Sequence, residues 1–305
     1  VTSVQKRLGH LALENSQLVE KYNQAQVAVQ RRVKSATQAR LEAAKASADY
    51  RAAHREFAEI VQLQYESGGS FGAASALLDS SSGNNYLARL DMLDMVSKHN
   101  AQVVGAVADA RDAATEAATR AAELLGAARQ QRAALVKKKQ QVENQIRRYQ
   151  LLLATLSSAQ QYAYQEAMNP AVSPVRIADM RLAQAPSKAA QKAVEFALSQ
   201  VGKPYVWGAA GPSSYDCSGL TMASWAHAGV SLPHSAADQF NYGKHVPLSA
   251  LLPGDLIFFY SPIGHVTIYI GNGLMVSAPT EGQDVSVVPL SAFNGDITGA
   301  TRLTP

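Results

Sequence analysis

Cys217 is the only cysteine among 305 residues, and it sits in YDCSGLTMASWAHAG, Tyr215 to Gly229, directly after an aspartate. Asp216 occupies the position of a helix N-cap, and Leu220, Ala223 and His227 continue at helical spacing to a stop at Gly229. The thiol therefore falls in the first turn of a helix. There the unpaired N–H groups and the positive end of the macrodipole favour an anion, so the thiolate is stabilised over the thiol. A lone cysteine is commonly a small buried hydrophobe. A cap site flanked by Asp, Ser and Gly offers nothing to such a residue, but it suits a nucleophile.

A nucleophilic thiol needs a base, and the chain has seven histidines. His10, His54 and His99 lie in the polar helical half and read as solvated. His227 is too far along the cysteine's own helix to reach back, and His245 follows Gly243 and Lys244 as a loop residue. His234 and His265 remain. His265 opens HVTIYIGNGLMVSAP, whose alternation predicts a strand with His265, Thr267 and Tyr269 on one face and Val266, Ile268 and Ile270 on the other. Heading the more polar face, His265 is read as the base that faces the cysteine helix. His234, in LPHSAADQF, precedes Ser235, a cap for the next helix, and is read as lining the groove. No His-Glu-x-x-His run and no cluster of Cys/His ligands occurs, so the expectation is chemistry without metal or other cofactor.

The elements that would hold these residues fall into two architectures. Up to about residue 165 the chain is rich in Ala, Gln, Lys, Arg and Glu, whereas the remainder carries most of the Gly, Pro and aromatic residues. Residues 1–187 carry a net charge of +6 and residues 188–305 a net charge of −2. In the first part a heptad runs from Val4 through Leu8, Leu11, Asn15, Leu18 and Tyr22 to Phe57 and Ile60, and a second from Val104 and Val107 through Ala118, Leu125, Val142 and Tyr149 to Leu156. Two such helices bury their stripes against each other, which predicts an all-α antiparallel coiled-coil hairpin over 1–165, roughly 90 Å long at 1.5 Å per residue. The intervening Glu66–Tyr86 segment reads as its tip, where Phe71, Ala74, Leu77 and Leu78 form one apolar face suited to a partner protein. A linker follows over 166–187, with three prolines. The domain at 188–305 opens with a helix over Ala189–Val201, stopped by Gly202 and Pro204.

Four ordered segments, GKPYVWGAAGPSSYDCSGL, LPHSAADQ, LLPGDLIFF and GHVTIYIGNG, resemble the NlpC-type cell-wall cysteine peptidases across nearly all of 188–305. Joined to a helical hairpin, the domain is similar to the Rip-type endopeptidases of mycobacteria. The resemblance implies an α+β papain-like domain, with Cys217 as nucleophile and His265 as base. It implies substrate-binding roles for Tyr205, Asp216, Ser218, His234 and Ser235. The substrate would be the peptidoglycan stem peptide, cut between D-glutamate and meso-diaminopimelate. The resemblance also implies secretion, a part in cell division, and control by an FtsX-type membrane protein through the coiled-coil tip, at Phe71, Leu77 and Leu78.

In near relatives a Glu, His, Asn or Gln orients the histidine; the matching position here is Ser277. A two-residue Asn272-Gly273 hairpin loop would pair Ser277 with Ile268, facing away from His265. A three-residue loop from Gly271 would pair it with Thr267, diagonal to His265 at roughly 7–8 Å. The expectation is a bridging water or weak orientation, with Ser277→Ala costing about tenfold or less of activity.

Two other readings are open: a non-catalytic wall-binding or hydrolase-activating module, and a peptidoglycan amidase on the same scaffold. The absence of a basic patch with interleaved aromatics speaks against nucleic acid as a partner. No apolar run approaches the roughly 20 residues that span a bilayer, and the first residues have no signal-peptide core, so an exported form would have lost its signal. Outside the membrane a constantly active wall hydrolase is hazardous, which predicts that the rod or linker restrains the groove.

Overall fold

Stretches nearly free of Pro and Gly, with an apolar residue every three or four positions, form the two long helices α1 (Ser3–Glu66) and α2 (Gly83–Leu153), followed by α3 (Ser158–Met168). The computed structural model describes residues 3–66, 83–168, 170–172, 183–292 and 296–303, with side chains from 87 onward in α2. The tip residues Phe71, Leu77 and Leu78 lie outside the described residues. Packing divides the chain into two units, 30–130 and 1–29 with 131–305.

In the unit 30–130, Ala36 and Ala39 are buried on α1, and Ala43, Ala46, Tyr50, Ala53, Phe57 and Ile60 follow half-buried, in the spacing that the heptad predicts. On α2 the seam differs. Val103, Ala117 and Leu124 face inward, while Val104 and Leu125 are 51% and 44% exposed and Ala118 is exposed too. Each error falls on a pair of adjacent apolar residues, and an unbroken four-three repeat selects the first of each pair.

In the other unit the start of α1 packs on the end of α2 and on α3 through Leu8, Ala12, Tyr149, Leu156 and Tyr164. The remainder is α+β. Helix α4 (Lys188–Ser199) is capped by Ser187, whose hydroxyl accepts from the Ala190 amide, and α5 (Cys217–His227) and α6 (Ala236–Phe240) follow. Six antiparallel-paired strands, β1 (Lys244–Val246), β2 (Leu256–Phe259), β3 (His265–Gly271), β4 (Leu274–Ser277), β5 (Ser286–Pro289) and β6 (Ile297–Arg302), form one sheet in the order β1-β6-β2-β3-β4-β5. One sheet face, with Leu256, Phe258, Val266, Ile268 and Val276, shares a core with Val194, Leu220 and Trp225 of α4 and α5. The opposite face gathers Ile257, Phe259, Met275 and Val288. The described ends of the linker lie on this domain: the Val172 amide donates to the Val287 carbonyl at 2.7 Å, and Ala183 lies over Gly271, where an added Cβ would come within 2.4 Å of it. Among the described residues no helix is long and apolar enough to cross a membrane.

Candidate active site

Cys217 is the first residue of α5, as the cap pattern predicts. Asp216 has extended backbone and its Oδ1 accepts from the Gly219 amide at 2.6 Å. The preceding loop presses on this turn. The Asp216 amide donates to the Ala209 carbonyl at 2.8 Å, and a Cβ on residue 219 would stand 2.1 Å from that oxygen, so only glycine fits. The sulfur receives backbone N–H groups from Ser218, on its own helix, and from Val266, the second residue of β3. Tyr205 is buried in the same core as Cys217, and a charge on that sulfur would act on both Tyr205 and Tyr260.

The Val266 amide places Cys217 against the first residues of β3, beside His265. The face assignment of β3 needs correcting. Its apolar residues Val266, Ile268 and Ile270 share a core with Cys217, while Tyr269 packs on the far layer. The cysteine helix carries Leu220 and Trp225 and so buries against the apolar face. The site forms at the strand's end, where the His265 ring lies 5.9 Å from that of Phe259.

Ser277 is a second correction. The loop is Asn272-Gly273, but β3 is irregular between Tyr269 and Gly271, so that Gly271 pairs with Leu274 while Ile268 pairs with Val276. The extra residue shifts the register by one and sets Ser277 on the histidine's face. From there its Oγ lies 3.1 Å from His265 Nε2. The expected gap is closed because an imidazole is long enough to span a diagonal pair. Ser277 thus holds the imidazole at Nε2.

Burial pushes His265 down to about 4, against the charge of Asp216. Burial, and then the charges of Asp216 and Glu20, push the Cys217 thiol well up, while the Val266 and Ser218 amides pull it down. In this covered state the pair is therefore a neutral thiol beside a neutral imidazole.

The cover is α1. Asn23 Nδ2 donates to Asp216 Oδ2 at 3.1 Å and to Ser218 Oγ at 3.3 Å, on either side of the cysteine. The Glu20 carboxylate accepts from Ser235 Oγ at 2.7 Å and from the Ala236 and Ala237 amides at 2.9 and 3.0 Å. Tyr22 meets Trp207 edge-on at 5.1 Å between ring centroids. Ser235 also caps α6 through the Asp238 amide, as expected. His234 Nε2 donates to Asp216 Oδ1 at 2.8 Å. Cys217, His265, Ser277, Tyr205, Asp216, Ser218, His234 and Ser235 thus converge on one site. Sequence reasoning missed Glu20 and Asn23. Their one signal is a polar stripe beside the heptad seam, and that reads equally as a solvated face.

Comparison with known proteins gives the class: residues 202–300 match the NlpC/P60 family, so the chain carries an NlpC/P60 domain. Three mycobacterial relatives are the probable endopeptidase Rv2190c of Mycobacterium tuberculosis, 50% identical over 36% of this chain and 28% of its own length, and the peptidoglycan endopeptidases RipA and RipB of the same species. RipA is 43% identical over 34% of this chain and 25% of its own, and RipB 39% identical over 40% and 58%. The chain thus spans about a quarter to under two thirds of these relatives.

Proposed function

We propose that the chain is a secreted peptidoglycan D,L-endopeptidase that cuts the stem peptide between D-glutamate and meso-diaminopimelate. The observation that carries this reading is the position of Cys217: at a helix start, with the Val266 amide on its sulfur and the neighbouring His265 held from behind by Ser277. His265 takes the thiol proton, and Cys217 attacks the D-glutamyl carbonyl to give a thioester. Backbone N–H groups at the start of α5 meet the developing oxyanion. The imidazolium protonates the leaving amine, and water releases the acid. The names of the relatives support a cell-wall substrate.

The second part of the proposal is restraint. With Asn23 and Glu20 seated on groove residues, α1 occupies the space that a stem peptide needs, and the enzyme rests closed. Release comes from an FtsX-type membrane division protein that engages the segment around Phe71, Leu77 and Leu78.

Digestion of defined muropeptides tests the chemistry. New free diaminopimelate amines are expected from wild type and none from Cys217→Ala. Released muramyl lactyl groups would instead make the chain an amidase, and no product from either would leave a binding module.

A further inference from the structure

The Asp216 carboxylate lies one residue before the nucleophile and is fully buried. Five donors reach it. Gly219 N, at 2.6 Å, His234 Nε2, at 2.8 Å, and Ser218 Oγ, at 3.4 Å, point at Oδ1, and Gly208 N, at 2.8 Å, and Asn23 Nδ2, at 3.1 Å, at Oδ2. Four of these are neutral, and Asn23 belongs to α1, which departs when the groove opens. Only the imidazole of His234 can bring a counter-charge, and it is itself 15% exposed. A buried carboxylate without a counter-ion is costly, and beside a thiol it opposes the ionisation that the reaction needs.

We propose that His234 is a positioning residue of the reaction, an imidazolium that carries the counter-charge of Asp216 and so frees the start of α5 from net negative charge. The inference rests on the peptidase reading for its purpose, but the electrostatics hold for any thiol chemistry at Cys217. An ionised carboxylate only accepts, so Nε2 carries a proton in either charge state and Nδ1 decides the charge. The groups facing this pair are Glu20 from α1, Cys217 at the start of α5, His265 of β3, and Tyr205 from the loop before α5. Burial works against the imidazolium, but the charge and hydrogen bond of Asp216, with the charge of Glu20, outweigh it and hold His234 above its ordinary value. Glu20 leaves with α1, whereas Asp216 stays, so the charged pair persists in the open enzyme. Neutral in the same place, His234 would still hydrogen-bond to Asp216, but it would leave the carboxylate's field on the sulfur uncompensated.

Because the chain has a single cysteine, alkylation of the full-length protein with iodoacetamide as a function of pH reads thiolate formation at Cys217 alone. The midpoint is expected to rise by about one pH unit in His234→Gln, which is about a tenfold loss of thiolate below the midpoint, and to return in His234→Gln/Asp216→Asn. An unchanged midpoint in the single variant, or a shift that persists in the double variant, overturns the proposal. Should His234→Gln misfold, the wild-type His234 ring resonance decides the matter: an imidazolium through pH 7 supports the inference, and a neutral ring at pH 6 refutes it. Wall digestion is measured separately. An inactive protein with the expected alkylation profile would defeat the peptidase reading and leave this inference standing.

Discussion

His265 reaches Ser277 directly, and this changes what the serine is expected to do. The hydroxyl at 3.1 Å can donate to Nε2 or accept from it, so Ser277 fixes the orientation of the ring rather than its tautomer. Ser277→Ala should therefore lower kcat by about 10- to 100-fold with KM nearly unchanged, between the loss first expected of a distant serine and that of His265→Ala. Steady-state kinetics on a soluble stem-peptide fragment reads it, and a loss confined to KM would assign Ser277 to substrate binding. Cys217 and its cap were legible because a helix start has a pattern of its own, Asp followed by small residues and then Leu220 at helical spacing. The His265–Ser277 bond was not, because it depends on one extra residue near Ile270 in a strand whose alternation looks regular.

At the scale of elements, the start of α1 is a helix with two buried faces. The heptad face was visible in the sequence, since Leu8 and Tyr149 repeat at coiled-coil spacing. The face that carries Glu20 and Asn23 was hidden, because polar residues beside a seam normally meet water. The docking is imperfectly satisfied. The Asn23 carbonyl oxygen is buried without a hydrogen-bond partner, which costs about 1–3 kcal/mol. A contact that combines a hydrogen bond to a buried carboxylate with this penalty can be undone. Removing one hydrogen bond to a charged group is worth about 1.5–3 kcal/mol, or roughly 10- to 100-fold in the balance between closed and open forms. Asn23→Ala and Glu20→Ala in the full chain should each raise the rate of wall digestion, up to that factor, with helical circular dichroism unchanged. Rates equal to wild type in both would show that α1 does not limit access.

For the whole molecule, composition changes after Tyr164, but packing gathers residues 1–29 and 131–168 with the domain that holds the site. Composition reports the kind of architecture along the chain. It is silent on which stretch of a long helix rests on which surface, so the two-part construction was legible and the stretch of α1 that lies over the groove was not. The cover has a thermodynamic consequence. Asn23 and Glu20 occupy Asp216, Ser218 and the Ser235–Ala237 turn, so a stem peptide seated on those groups and a docked α1 exclude each other. Linkage then makes the effect reciprocal: whatever weakens docking strengthens peptide binding by the same factor, and bound peptide must loosen α1. Hydrogen exchange on Cys217→Ala, which binds without turnover, tests this. At saturating peptide the amides of residues 15–27 should lose about tenfold or more of their protection, while those of residues 36–60, on the same helix but in the other packing unit, keep theirs. Protection that stays the same in both stretches would mean that peptide enters without displacing the helix, and the closed resting state would have to be given up.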